Sequence, residues 1–480
     1  GREKTYQAWN GVSQDMLKTN RTYNSAGTEK PGTPYENETD NYNQTHYQLF
    51  LNQKVRNDLS FSIGTFLVRG KGYYENYKAS QKFKKYGLPD LVVGTEVFQR
   101  TDLILQRWLD NYFYGTVFSL QYLKGNSTIN FGGGYSLYDG DHFNRVIWAQ
   151  QGFTPDYSSY LLPAHKRDFN LYAKWMYALG SGFNLFADVQ QRMVRYEING
   201  FKDNPDIYVN KKYTFLNPKA GLSYISGGVN AYASFAVAVK EPNRKDFEAG
   251  INQIPVPEKL YDWEAGISYT GSDYTAGVNL YWMQYRDQLV NTGQINDVGA
   301  YTRTNVPQSY RAGIELQGVY KPTTWLRLSA NSSFSRNKIK DFTEYIYDEN
   351  YVATKNHFTN TDISFSPNVV AGGMVTVLPF KNAEINFISK YVGKQFLDNT
   401  SDQFRMVSDY FVENLRLNYT LSKRIFKQTD FIFQINNLFD RMYEANGYTY
   451  NYLYEEKLYV ENYYFPMAGI NFMAGINVRL

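Results

Sequence analysis

The sequence predicts an all-β protein, a transmembrane antiparallel β-barrel, and three observations carry that expectation. The first is the alternation at the C-terminus. Ala468, Ile470, Phe472, Ala474, Ile476, Val478 and Leu480 interleave with Gly469, Asn471, Met473, Gly475, Asn477 and Arg479. A strand turns successive side chains to opposite faces, so one face of this run is wholly apolar and the other small or polar. Its length suits a strand that crosses a bilayer at a tilt. The second observation is composition: 480 residues hold 45 Tyr, 32 Phe, 36 Gly and no Cys. Tyrosine suits surfaces that are apolar at one end and wet at the other. The third is the spacing of connections, in which short turns alternate with long polar segments.

Taken in chain order, period-two alternation gives about 17 strands. They fall at 44–55, 58–70, 109–123, 126–139, 166–178, 183–197, 212–226, 228–240, 257–271, 273–289, 307–321, 324–337, 365–378, 382–395, 406–421, 428–438 and 464–480. In the fourth, Ile129, Phe131, Tyr135 and Leu137 oppose Thr128, Asn130, Gly132, Gly134 and Ser136. In the twelfth, Leu326, Leu328, Ala330 and Phe334 oppose Arg327, Ser329, Asn331 and Ser333. The sixteenth sets Phe431, Phe433 and Ile435 against Gln434 and Asn436. Tight turns such as Lys124-Gly125-Asn126, Ser226-Gly227-Gly228 and Lys321-Pro322-Thr323-Thr324 are rich in the residues hairpins need. Trp175, Tyr177 and Phe183 flank another, where an interfacial girdle belongs.

Mean hydropathy is −0.53, which a barrel tolerates because only alternate residues meet lipid. No apolar run approaches the roughly 18 residues of a membrane helix. The net charge of +4 gives no sign of a nucleic-acid partner, and the absence of cysteine removes disulfides and thiolate chemistry. Gly1-Arg2-Glu3-Lys4 opens no signal peptide. Single-chain barrels have even strand counts and periplasmic termini. Counted back from the C-terminus, the first strand descends, which makes residues 1–43 an extracellular segment and 44–480 the C-terminal part of a barrel. An odd count leads us to expect upstream strands.

The landmarks resemble the C-terminal barrel of a TonB-dependent outer-membrane receptor of the Bacteroidetes iron-complex type. They are Thr5–Gly11, Val239-Lys240-Glu241-Pro242-Asn243-Arg244, Pro257–Gly266, Tyr301–Asn305, Tyr310–Glu315, Asn437-Leu438-Phe439-Asp440 and the terminal strand. The resemblance implies a barrel of roughly 22 strands around a plug, with the plug and about five strands upstream of this chain. It implies placement in the bacterial outer membrane, energy from a TonB complex acting on that upstream region, and a surface lipoprotein as a further partner. It also implies active transport of a scarce bulky ligand, a ferric siderophore or other iron chelate foremost, with haem, cobalamin and oligosaccharide as alternatives. A passive porin or a structural barrel in a surface complex is the reading from a different class. No cofactor is expected, and no catalytic arrangement of Ser, His and Asp, paired carboxylates or metal-ligand spacing stands out.

Inward positions Lys174, Asp188, Gln190, Arg192, Arg327, Asn331, Glu384 and Lys390 suit a lumen wall or plug contact. Arg244 and Arg303 lie just above strand ends, where guanidinium groups receive an anionic chelate through charge-assisted hydrogen bonds. Tyr448, Tyr450 and Tyr452 belong to the most tyrosine-dense loop. They suit a ring-rich ligand, or share one face of a strand above the membrane. Arg145 and Trp148, with Phe153 and Tyr157, form a second basic and aromatic cluster. If the ligand is haem, His142 and His357 are the loop imidazoles to consider. The Glu-Pro-Asn-Arg segment departs from the Arg-Ala-Pro type motif of haem receptors, and Asp139-Gly140-Asp141 is only a fragment of a calcium loop.

Overall fold

A computed structural model gives the fold and describes residues 1–479 apart from 203, 250–253, 296–300, 351 and 423–425. Among the described residues, seventeen long strands follow one another as an antiparallel meander. They are β1 (Thr39–Arg56), β2 (Leu59–Lys82), β3 (Arg100–Lys124), β4 (Ser127–Ala149), β5 (Leu161–Gly180) and β6 (Phe183–Asn199). Then come β7 (Tyr208–Ser226), β8 (Val229–Lys240), β9 (Glu258–Thr270), β10 (Tyr274–Ile295), β11 (Tyr301–Thr323) and β12 (Leu326–Tyr347). The last are β13 (Val369–Val377), β14 (Ala383–Val392), β15 (Tyr410–Ser422), β16 (Gln428–Asn436) and β17 (Asn471–Arg479). With shorter strands at the rim, the sheet numbers 22.

Register shows which face is which. Phe431, Phe433 and Ile435 of β16 pair with Ile476, Ala474 and Phe472 of β17, while Gln434 pairs with Met473 and Asp430 with Asn477. The same parity holds across the sheet: Tyr135, Phe169 and Met193 form an outward row through β4, β5 and β6. Leu49, Tyr114, Ile129, Leu280, Trp282, Phe387 and Ile476 are among the many large apolar side chains left exposed. An apolar surface this extensive, repeated on one face of successive strands, is what lipid covers. The opposite face carries Lys174, Asp188, Gln190 and Arg192, and farther round Asn331, Glu384 and Lys390. Phe50, Phe66, Phe113 and Val117 are an apolar patch on that inner face. No helix among the described residues is long and apolar enough to cross a membrane.

The short-turn rim is tight. Gly125 takes φ +55 between β3 and β4, and Gly227 and Gly228 take φ +56 and +82 between β7 and β8, conformations that glycine adopts without strain. Trp175–Tyr177, Phe183–Tyr224 and Tyr269–Tyr274 ring contacts cluster there as a girdle.

The other rim is taller than the sequence indicates. Expected loop 71–108 is largely the outer ends of β2 and β3, which stay in register from Leu59↔Tyr122 to Lys78↔Leu103 and, after a bulge, pair again from Gln81↔Thr101 to Lys82↔Arg100. β1 starts at Thr39 rather than 44, with Arg2–Tyr6 paired along its outer end. The expected strand 464–480 divides, since Tyr464 belongs to a separate hairpin, Glu444–Tyr454 with Lys457–Pro466, and β17 starts at Asn471. Likewise Met406–Val407 leaves β15 to pair with Gln395–Phe396. Buried apolar clusters lie at this rim, one formed by Val194, Tyr196, Ile198, Phe201, Phe215 and Phe247. Inside the lipid band most large apolar side chains face outward, and the buried apolar clusters lie above it.

Candidate functional site

The inner face near the tall rim is electrostatically matched. Arg192 of β6 forks onto Asp168 of β5, with Nη2 2.5 Å from Oδ2, and onto Glu241 just beyond β8, with Nη1 2.7 Å from Oε2. Lys166 adds an ammonium 2.8 Å from Glu241. Burial opposes ionisation of Glu241, but hydrogen bonds from Arg192 and Lys166 outweigh it and hold the carboxyl below its usual range. This cluster fixes the end of β8 to the wall and turns the following Pro242-Asn243-Arg244 segment over the lumen.

That segment enters a short 3-10 helix, Arg244–Ala249. Asp246 receives the backbone N–H of Asn243 at 2.7 Å and both Nε and Nη2 of Arg303, at 2.8 and 2.7 Å. Arg303 therefore braces the loop. Arg244 is placed otherwise. Its guanidinium lies 4.7 Å from the centroid of Phe201, a fully buried ring, and its Nε is buried with no hydrogen-bond partner. No carboxylate lies within ion-pair distance of Arg244 among the described residues. Burial lowers its pKa, only partly offset by Glu248, Tyr138 and Tyr160 at longer range.

His142, on the inner face of β4, completes the arrangement. Its Nδ1 is also buried without a partner. Burial, followed by the nearby Arg244 charge, lowers its pKa to about 4. It is a neutral imidazole at neutral pH. A half-buried cation with an orphan Nε–H donor suits an anionic oxygen ligand, because a charge drawn from water without a partner is costly. The neutral His142 ring, its orphan Nδ1 an acceptor, lies nearby without neutralising that charge.

Next to Lys202, which follows Phe201, is a cavity of about 550 Å³ in the range of small-molecule sites. Its lining includes Trp9, Glu38, Lys78, Lys85, Arg107 and Lys202. Trp9 meets Tyr74 edge-on at 5.0 Å, and Arg107 lies over that same Tyr74 ring at 5.4 Å. Lys78 pairs with Glu29. Sequence reading missed Lys85, Arg107 and Lys202 because both faces of the strand ends above the lipid are polar, leaving no apolar parity to follow. A larger hollow of about 1060 Å³, with Glu315, Gln317, Asn331 and Lys390, is the curved inner wall of β8–β14 itself.

The remaining candidates lie elsewhere. Arg145 is on the outward face, its guanidinium 5.3 Å from the centroid of Trp108, which stacks on Phe143. Trp148 stacks on Tyr77 at 6.3 Å. His357 is 61% exposed on Ala353–Asp362, 3.7 Å from Asp341. Tyr448, Tyr450 and Tyr452 share one face of the rim hairpin, each opposite Tyr463, Glu461 and Tyr459 in turn. Tyr448 is buried and its hydroxyl accepts the Gly11 N–H at 3.1 Å, while the Tyr452 hydroxyl donates to Glu461 at 2.8 Å. Among the described residues no group of His, Asp and Glu side chains gathers as a metal site.

A tall, broad barrel sheet with lipid on one face and a basic, aromatic mouth on the other defines an outer-membrane receptor barrel. The sequence matches the TonB dependent receptor-like, beta-barrel family model over residues 2–438, and the chain belongs to that family. It is part of a receptor rather than an enzyme, and its place is the bacterial outer membrane. Similar solved structures include the siderophore receptor PiuA from Acinetobacter baumannii, with 13% identity and TM-score 0.65 over 92% of this chain and 65% of that one. The ferric citrate transporter FecA shows 16% identity and TM-score 0.66 over 97% of this chain and 65% of that one. The copper transporter OprC shows 13% identity and TM-score 0.65 over 91% of this chain and 65% of that one. At these identities the likeness is one of fold, and the chain spans about two thirds of each neighbour's length. No curated protein matched the sequence.

Proposed function

We propose that the chain forms most of the barrel of an active transporter that binds an anionic ferric chelate at its extracellular mouth and passes it to the periplasm. The observation that carries this reading is Arg244, a half-buried cation with a buried, unpartnered Nε–H and no carboxylate within ion-pair distance among the described residues. A chelate carboxylate or catecholate oxygen would accept from Arg244, and the Trp9–Tyr74 rings would border its organic part. Iron as the cargo is supported by the likeness to the siderophore receptor PiuA and the ferric citrate transporter FecA, and the copper transporter OprC is the counter-example within the same fold. Energy would arrive through a TonB contact and a plug contributed by sequence outside this chain.

The test is uptake of radiolabelled iron, supplied as ferric citrate and as a ferric catecholate, by cells carrying the full-length protein, with and without TonB. Arg244→Gln should cut uptake of the accepted chelate about tenfold or more, as expected for losing a charged hydrogen bond. If uptake ignores TonB while small neutral solutes leak through the purified protein, a passive porin is the better account.

A further inference from the structure

Charge on the outward face of β9–β12 is not matched as it is inside. Lys259 of β9 and Arg286 of β10 are direct cross-strand neighbours, an arrangement of like charges that is destabilising unless something anionic covers it. Both approach one ring: Lys259 Nζ is 4.9 Å from the centroid of Tyr261 and the Arg286 guanidinium 5.8 Å. Arg336 of β12 lies two strands away, directly across from Ala312, with Trp282 opposite Ala312 on the other side. Lys259, Arg286 and Arg336 have no carboxylate partner among the described residues, whereas neighbouring Lys338 is taken by Asp362 at 2.9 Å. Outward positions from Lys259 to Ala265, Leu280 to Arg286, Gln308 to Ile314 and Phe334 to Lys338 include no acid at all.

Directly below Lys259 and Arg286, toward the lipid band and in the same cross-strand row as Arg336, lies an aromatic shelf. Trp263 and Trp282 are cross-strand partners, 42% and 49% exposed, and Trp282 stacks on Tyr310 at 5.2 Å and 10°. Below the shelf come Ala265, Leu280, Ile314 and Phe334. Cations above, indoles between and aliphatics below match the profile of a lipid whose phosphate sits at the headgroup level and whose chains descend alongside the sheet.

We propose that Lys259, Arg286 and Arg336 form a binding site for the phosphate of an outer-leaflet lipid, with Tyr261, Trp263 and Trp282 as its aromatic border. The tall rim is taken as the extracellular one. The site is separate from the lumen mouth and does not depend on what the receptor imports.

The experiment places the full-length protein in phosphatidylcholine nanodiscs with a minor fraction of phosphatidic acid and counts retained phosphatidic acid by native mass spectrometry. Removing cations should weaken retention about fivefold each, so K259Q/R286Q/R336Q should lose it almost completely, and K259R/R286K should keep it. Quenching of tryptophan fluorescence by brominated acyl chains, unchanged in the triple variant, shows that the variant still sits in the bilayer. Equal retention by the wild type and an inserted triple variant would overturn the proposal, as would equal retention of phosphatidic acid and uncharged diacylglycerol by the wild type.

Discussion

At the scale of single residues, the contrast between Arg244 and Arg303 shows how little side-chain type says about role. Both were expected just above strand ends, but Arg303 lies within β11, opposite Asn291, and is neutralised by Asp246, while Arg244 faces Phe201 with an orphan Nε. Residue type and position brought both forward, but the Asp246 partner depends on how loops between β8 and β11 fold back, which no local pattern encodes. His142 was legible only as a loop imidazole. The titration of His142 has a definite sign. Its folded pKa of about 4 lies below the unfolded value near 6.5, so the unfolded chain takes the proton first. Stability is lost as pH falls from about 6.5 toward 4, and His142→Gln should flatten this loss in a denaturation series across that window. Glu241 has the opposite charge type and the same outcome, since its lowered pKa makes its contribution present at neutral pH and lost in acid. Arg192→Ala would leave Asp168 without its partner and Glu241 with Lys166 alone, at about 3 kcal/mol. Faster hydrogen exchange at the outer ends of β5, β6 and β8 would register that loss, with Arg192→Lys milder.

Elements were legible in proportion to lipid contact. Strands inside the band declared themselves because one face must be apolar, and the expected and observed spans coincide there within a few residues. Above the band that requirement lapses. Residues such as Lys71, Tyr73, Glu75 and Tyr77 of β2 continue the ladder with no hydrophobic period, which is why the rim was read as loop. The Tyr448 hairpin is the clearest case of the two readings offered for it. Its rings share a strand face, and Tyr448 stacks on Tyr463 at 5.0 Å and 11°. It also holds the N-terminal segment, with Val12 paired to Tyr464 and Arg21 to Glu444 at 2.6 Å. Gly11 is required here, because a Cβ would stand 2.8 Å from the Tyr464 carbonyl oxygen. Gly11→Val should free the hairpin and expose Glu444–Pro466 to limited proteolysis. Tyr448→Phe should cost only the one hydrogen bond, about 1 kcal/mol, and leave the digestion pattern nearly unchanged.

For the whole molecule, the two faces of one sheet obey opposite rules, and substitution at matched depth should show it. Leu316 of β11 faces lipid, and Asn331 of β12, the partner of its neighbour Gln317, faces the lumen. An arginine in place of Leu316 should destabilise folding into bilayers by about 2–4 kcal/mol near mid-depth, whereas Asn331→Arg should cost little. Reversible unfolding in lipid vesicles reads both. An equal penalty would mean that the faces are wrongly assigned.

The Gly11–Tyr448 contact joins positions 437 apart in the chain. A strand ladder made of neighbouring hairpins assembles through short loops, but this contact requires nearly the whole sequence to be in place. Such distant contacts carry the largest loop-closure cost and form late. A fluorophore pair flanking residues 12 and 464 would therefore light up only at the end of folding. The clasp is a built-in reporter of completed assembly.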